Sequence, residues 1–484
     1  MPADLTDQTD RSAGMGPACA PAPQPGNAPS QAGEGLVSKP SRNSRDLAHR
    51  LASASVWALL AYVGGAALAF LSQLVIARLM GAASFGVYSY VLAWISVLGY
   101  GSTLGFHVAL MRFVPAYGAR GQWSLARGNI RFALGWSLAA AVTSALAGAL
   151  VVIASSGQMP PELAQSMLIG MAAVPLITLY LVGGAILRVL GGVVSALLPE
   201  RIGRDGLLLA FVALLALTLS GRPDARLVIA ALVASSAVTV ALVYAIGRRL
   251  WLPELRGVRP SYATRDWWPS VLPLMVITGL DMLMTRTGVM LLGWTGNIRD
   301  AGIFAVGFNV AMLIVLPRVA VGTMFAPTIA ELHALDDRQA MQHVFANACS
   351  LSLAGATALA LPLLAIMGPL LRWFGQDFEA SAAIAYILVI GQVFAAALGP
   401  QQNLLTMTGH ERAAAAMMIG GAGLNILVCA LWIPRYGPIG AAMATTLTIV
   451  AWNVAMAVYI HRHLGLVPGL AFALGRGRRP PGQG

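Results

Sequence analysis

The sequence predicts an all-α polytopic membrane protein, with about 12 transmembrane helices in two six-helix halves around a central cavity. Three observations predict it. The 484 residues are 57% hydrophobic and 10% charged, against about 25% charged in soluble domains, so the chain has too few charges to cover a surface facing water. Its apolar residues come in runs of about 20, the length of helix that crosses a bilayer. A long basic loop near the middle divides these runs six and six. Nothing reads as a strand at this scale. Backbone facing lipid must pair internally, so helices are the consistent reading.

Residues 1–50 are rich in Pro, Ala, Gly and Ser without periodicity, and are expected to form a disordered cytoplasmic tail. The tail ends in the basic run SRNSRDLAHR. No apolar core follows the start closely enough for a cleavable signal peptide. The apolar spans then fall at 54–77, 85–108, 130–154, 165–187, 203–220, 226–247, 268–293, 301–325, 345–371, 380–405, 412–433 and 438–461. The fourth and fifth are the least clean, and LRVLGGVVSALLPERIGRD between them reads as an amphipathic helix at the membrane surface. The N-terminal half is expected over 51–247, a basic cytoplasmic linker over 248–267, the C-terminal half over 268–465 and a basic cytoplasmic tail over 466–484.

Orientation follows from the loops. GRRLWLPELRGVRPSYATRD, the Arg112–Arg131 segment and GRGRRPP are basic and lie on the same side as the N-terminus. That bias puts both termini in the cytoplasm. The loops on the other side are short: GAAS, SSGQMPPE, GRPDA, TGNIRD, GQDFEA and PRYGP. The same bias accounts for most of the net charge of +12. The basic residues form no single stripe, so no nucleic acid is expected as a partner. The three cysteines, Cys19, Cys349 and Cys429, have no metal or disulfide-framework spacing and read as small apolar filler.

Several stretches resemble one family. ARLMGAASFGVYSYVLAW is similar to the turn after the first span in the polysaccharide-exporter branch of the multidrug/oligosaccharidyl-lipid/polysaccharide flippase superfamily, the Wzx-type O-antigen and exopolysaccharide flippases. MRFVPAYGARGQ resembles the loop after its second span. LDMLMTRTGVMLLGWTGNIRDAGIFAVGFNVA resembles its seventh span, turn and eighth span. FAPTIAELHALDDRQAMQHVF, LLTMTGHERAAAAMMIGGAGLNI and IPRYGPIGAAMAT follow in the family's order. The resemblance covers about residues 50–465. It implies translocation of an undecaprenyl-pyrophosphate-linked oligosaccharide from the inner to the outer leaflet of the bacterial cytoplasmic membrane, by alternating access through a cationic cavity. Expected partners are that lipid-linked oligosaccharide, membrane lipids, and the polysaccharide polymerase and export machinery.

Two charges interrupt the seventh span, ITGLDMLMTRTGVMLLGW, at Asp281 and Arg286. A charge at the bilayer centre costs a few kcal/mol and normally faces a bundle interior or a wet cavity. Counted from Trp268, Asp281 lies about 20 Å into the span at about 1.5 Å per residue. Arg286 follows five residues later, about 140° round the helix, so the two do not share a face. Arg318 follows Pro317 in the eighth span, which Pro317 is expected to kink. Arg286 and Arg318 are expected to form a staggered cationic path for a pyrophosphate, with Asp281 tuning or releasing it. Arginine suits this role because its planar fork stays charged and chelates phosphate oxygens. The alternative is a buried ion pair between Asp281 and Arg318 or Arg286 that locks the two spans together.

Gln73, Asn309, Gln392, Gln401 and Asn403 are the other candidate cavity residues, since amides both donate to and accept from sugar hydroxyls. Each of them could equally join two helices by a hydrogen bond. His107 reads as an interface residue. His410 and Glu411 lack the second histidine of a zinc helix. The sequence shows no Walker A loop, no Gly-x-Ser-x-Gly elbow and no metal-ligand cluster. Neither cofactor nor metal is expected, and the chain does not read as an enzyme. Two rivals stay open. A cation-coupled multidrug exporter of the same superfamily would want an acidic cavity, whereas Asp281, Arg286 and Arg318 sum to +1. A polysaccharide polymerase or ligase would want a large external loop.

Overall fold

The computed structural model describes residues 42–218 and 221–467. Residues 1–41, with Cys19, and nearly all of the expected C-terminal tail lie outside the described residues. The chain divides into two compact units, Met1–Leu51 and Ala52–Gly484, and all the packing at issue lies within the second.

Sixteen α-helices follow in order: α1 Arg42–Ser102, α2 Phe106–Ala119, α3 Trp123–Ser155, α4 Pro161–Met171, α5 Ala173–Leu197, α6 Arg204–Thr218, α7 Ala225–Leu250, α8 Pro253–Arg256, α9 Thr264–Trp294, α10 Ile298–Met312, α11 Leu316–Ala334, α12 Arg338–Ala365, α13 Met367–Phe374, α14 Ser381–Leu398, α15 Gln401–Met407 and α16 Glu411–Leu464. Among the described residues there is no strand. α1 begins inside the stretch expected as a tail.

Nine helical segments are long and apolar enough to cross a membrane, among the described residues. Two of them hold two predicted spans each. α1 turns at Gly81 (φ 75°) and α16 turns at Gly437 (φ 56°). Both positions are left-handed, where only glycine pays no steric cost. The fifth predicted span is α6, only 15 residues long. The chain is thus an all-helical, multi-pass membrane protein.

One local outcome follows the expectation of a kink at Pro317 and one departs from what was expected. The eighth span is interrupted ahead of Pro317: α10 ends at Met312, a 3₁₀ turn covers Leu313–Val315, and Pro317 sits in the first turn of α11. There its missing N–H leaves no helix bond unmade. The segment expected on the membrane surface instead folds into the bundle. A π turn over Leu198–Gly203 joins α5 to α6, Glu200 pairs with Arg188, and Asp205 is 5% exposed. Arg204 likewise pairs with Asp205, so these four charges need no headgroups.

α9 packs against helices of both halves. Near its start, Val271 joins a core with Phe106, Leu110, Ile130 and Val182, and Trp267 donates to the Tyr117 hydroxyl at 2.9 Å. Near its end, Val289 and Leu292 join the main core with Tyr88, Tyr180 and Phe304. A third core gathers Ile329, Phe345, Leu404 and Met418.

A tight seam joins α1 to α10. A Cβ on Gly302 would sit 2.7 Å from the Ala82 carbonyl oxygen and 2.8 Å from the Gly86 nitrogen. Gly86 in turn abuts the Ile298 carbonyl. The same end is braced by Phe85 edge-on to Phe378 at 5.7 Å, by Arg78 donating to the Trp373 carbonyl at 3.1 Å, and by an exposed Arg299–Asp377 pair at 3.1 Å. Only glycine lets the two backbones approach this closely.

Candidate functional site

α9 separates two polar cavities of about 350 Å³ each. The first is lined by Gln73 from α1, Tyr100, Tyr180 from α5, Arg204 from α6, Arg286 from α9 and Asn309 from α10. The second is lined by Asp281 from α9, Arg318 from α11, Gln392 from α14, and Asn425, Thr445, Thr448 and Asn453 from α16. Met312 lines both. A smaller cavity of about 180 Å³ shares Arg318, Gln402 and Asn453 with the second and adds Gln401 and Asn403.

The helical offset of Asp281 and Arg286 explains this division. Five residues at about 100° each turn the two side chains to different faces, and each face opens on its own cavity. Arg286 and Arg318, expected as a staggered path at different depths, line the first and the second cavity respectively. Arg286 shares its space with Arg204, and Arg318 shares its space with Asp281. No salt bridge joins Asp281 to either arginine among the described residues, so the closed ion pair offered as the alternative is absent there.

Within the first cavity the two guanidiniums differ. Arg204 is held on both sides: its NH2 lies 2.6 Å from Asp205 Oδ1, and its NH1 donates to the Tyr180 hydroxyl at 2.7 Å. Ser72 fixes the backbone behind it by donating to the Asp205 carbonyl at 3.0 Å. Arg286 has no such support; its Nε is buried with no protein partner among the described residues. Gln73 donates to the Tyr88 hydroxyl at a long 3.4 Å. No carboxylate lines this cavity among the described residues. A half-buried guanidinium whose Nε is enclosed without a partner is costly, so the arrangement suits an anion that brings its own charge.

The second cavity holds one carboxylate and one guanidinium, not in direct contact, among amides and hydroxyls. Asn425 is 1% exposed and donates to Thr448 at 3.3 Å. Gln392 is 5% exposed and Gln401 2%. His107 lines neither cavity, and its Nδ1 is 2.8 Å from the Thr103 hydroxyl four residues earlier. Sequence reasoning missed Arg204, Tyr100 and Tyr180. Arg204 sits in PERIGRD, whose charge density resembles a surface loop, and only its folding into the bundle carries it to the cavity.

No protein-family model matches the chain, and a search of curated proteins finds no match. Solved structures do match in fold. One is an inward-facing multidrug resistance MATE family transporter of the MOP superfamily, with TM-score 0.65 and 14% identity, covering 86% of this chain and 96% of that one. Another is the lipid II flippase MurJ in an inward closed conformation, with TM-score 0.60 and 14% identity, covering 84% and 87%. A third is a MOP superfamily transporter from Pyrococcus furiosus, described by a binding pocket of reverse polarity that suggests a different function, with TM-score 0.60 and 14% identity, covering 85% and 94%. The chain is a multi-pass membrane protein that shares its fold with MATE transporters and a lipid II flippase.

Proposed function

We propose that the chain is a flippase that moves an undecaprenyl-pyrophosphate-linked oligosaccharide from the cytoplasmic to the periplasmic leaflet of a bacterial inner membrane. The product would feed O-antigen, capsule or exopolysaccharide assembly. In this reading the protein works by alternating access with both termini in the cytoplasm, and downstream polymerase and export machinery take up the product. The observation that carries it is the first cavity, with two guanidiniums, one of them unpaired at Nε, and no lining carboxylate among the described residues. A pyrophosphate supplies both the charge and the acceptor oxygens such a site lacks. Arg286 takes the phosphate, Arg204 is held as its neighbour, and Arg318 is the second cationic position beyond Met312. In this reading Gln73 and Asn309, which line the same cavity, hydrogen-bond the first sugar. No residue is assigned a catalytic role.

In a deletion strain, the lipid-linked oligosaccharide is expected to accumulate on the cytoplasmic leaflet and to be cleared by the wild-type gene. Normal translocation with unfinished polymer outside would instead favour a polymerase or ligase. An unchanged pool would favour a drug exporter.

A cation-coupled multidrug exporter is favoured by one observation, the Asp281 carboxylate in the second cavity, and it fits the MATE likeness equally well. The two readings differ in what Asp281 does. If it balances Arg318 across the cavity, without a direct ion pair, then Asp281→Asn alone is expected to lower the melting temperature. The double variant Asp281→Asn with Arg318→Gln should recover most of that loss, because it leaves no uncompensated charge. Thermal melting of the three purified proteins checks this. A double variant no more stable than the single would put Asp281 to work on a cation instead.

A further inference from the structure

The tenth span is broken. α14 stops at Leu398, the chain turns through Gly399 (φ 77°) and Pro400, and α15 restarts at Gln401. Pro400 cannot donate a helix bond and restricts the residue before it. Non-helical backbone at membrane depth is tolerated where it lines a cavity or is buried in protein. Here the break carries three successive amides, Gln401, Gln402 and Asn403, into the lining of the cavity of about 180 Å³. Asn453 and Trp452 of α16 complete the wall.

These groups are underused by the protein. Gln401 is 2% exposed, yet neither its amide nitrogen nor its oxygen meets a protein partner among the described residues. The Trp452 indole N–H is buried and unpartnered in the same way. Gln402 touches only a sulfur, Met418 Sδ at 3.8 Å, as its polar contact. A buried amide left unpaired destabilises the fold, whereas an apolar group of the same shape would not. An apolar side chain would therefore serve the fold better at position 401.

The chemistry of the wall defines what it binds. Among the described residues no carboxylate lines this cavity, and the one cation that does, Arg318, also shares the adjoining cavity with Asp281. Four amides supply donors and acceptors in equal measure, which matches hydroxyl groups that themselves do both. The Trp452 ring supplies an apolar face. We infer that the Gly399–Pro400 break builds a saccharide subsite, in which Gln401, Gln402, Asn403, Asn453 and Trp452 hold a neutral sugar of the transported glycan. This inference rests on the flippase reading: Arg286 engages the pyrophosphate on one face of α9 while the glycan reaches the amides on the other side of the C-terminal half.

The test uses the full chain in lipid nanodiscs and two probes. One is the lipid-linked oligosaccharide extracted from the deletion strain; the other is undecaprenyl pyrophosphate without sugar. Gln401→Leu is expected to melt no lower than the parent and to bind the glycan-bearing lipid about tenfold more weakly, the equivalent of a hydrogen bond or two. It should bind the sugar-free lipid as the parent does. Gln402→Leu should behave alike. Parent-level binding of the glycan-bearing lipid by both variants, an equal loss for both lipids, or a lower melting temperature for Gln401→Leu would each overturn the subsite. Arg286→Ala is expected to weaken both lipids. If it weakens neither, the flippase reading fails, whatever the result at Gln401.

Discussion

Arg286→Ala protein is expected to insert and fold like the parent yet to lose translocation by thirtyfold or more. Removing one partner of a buried, hydrogen-bonded charge pair costs about 2–5 kcal/mol, and about 1.4 kcal/mol is a factor of ten. The fold should not suffer, because the Arg286 Nε makes no bond to the protein among the described residues. Deleting a half-buried charge that has no ion pair among the described residues removes a penalty from the substrate-free state, so the melting temperature should hold or rise. Arg286→Lys keeps the charge and loses the planar fork, and should fall between the two. Leaflet-resolved measurement of the lipid-linked pool, alongside thermal melting, gives both readings. Export at the parent rate by the alanine variant would remove the anion from the argument.

The second large effect is expected at the seam. In Gly302→Ala the new methyl would meet the Ala82 carbonyl and the Gly86 nitrogen at 2.7 and 2.8 Å. Both are backbone atoms, so no rotamer change relieves the contact and the two helices must part. Overpacking of this kind costs about 1–3 kcal/mol. Since the seam joins α1 to α10 at one end of the bundle, the cost falls on the state in which that end is shut. A cysteine introduced at Ala82, which is 1% exposed, reports on it. Its labelling by a membrane-impermeant maleimide should be slow in the parent background and several times faster with Gly302→Ala. Unchanged labelling together with an unchanged melting temperature would mean that the seam does not control access.

Much of this was legible in the sequence because bilayer helices are long and their geometry is regular. The spans could be read from hydropathy, and the Gly81 and Gly437 turns from the stretches GAAS and PRYGP. The separation of Asp281 from Arg286 followed from helix geometry alone, and the structure turns them to different cavities. Depth and partnership were harder to read. That Arg318 shares a cavity with Asp281 and not with Arg286 depends on how the helices pack, for which residue spacing gives no sign. Arg204 was hidden for the opposite reason. Its neighbours Glu200, Arg201 and Asp205 suggested a surface, yet Glu200 and Asp205 turn inward to pair with Arg188 and Arg204. Hydropathy averages a window and so cannot tell a solvated charge from one neutralised within the bundle. The break at Gly399–Pro400 was visible as a dipeptide, but its consequence, three amides lining one wall, needed the fold.

α9 carries Arg286 into one cavity and Asp281 into the other, with no proline between them. A rigid-body rotation of α9 would turn both side chains together. Were occupancy at Arg286 to favour such a rotation, thermodynamic linkage would require reciprocity: the factor by which it altered the affinity of anything held beside Asp281 would also be the factor by which the latter altered the former. One helix is thus a wall of both chambers.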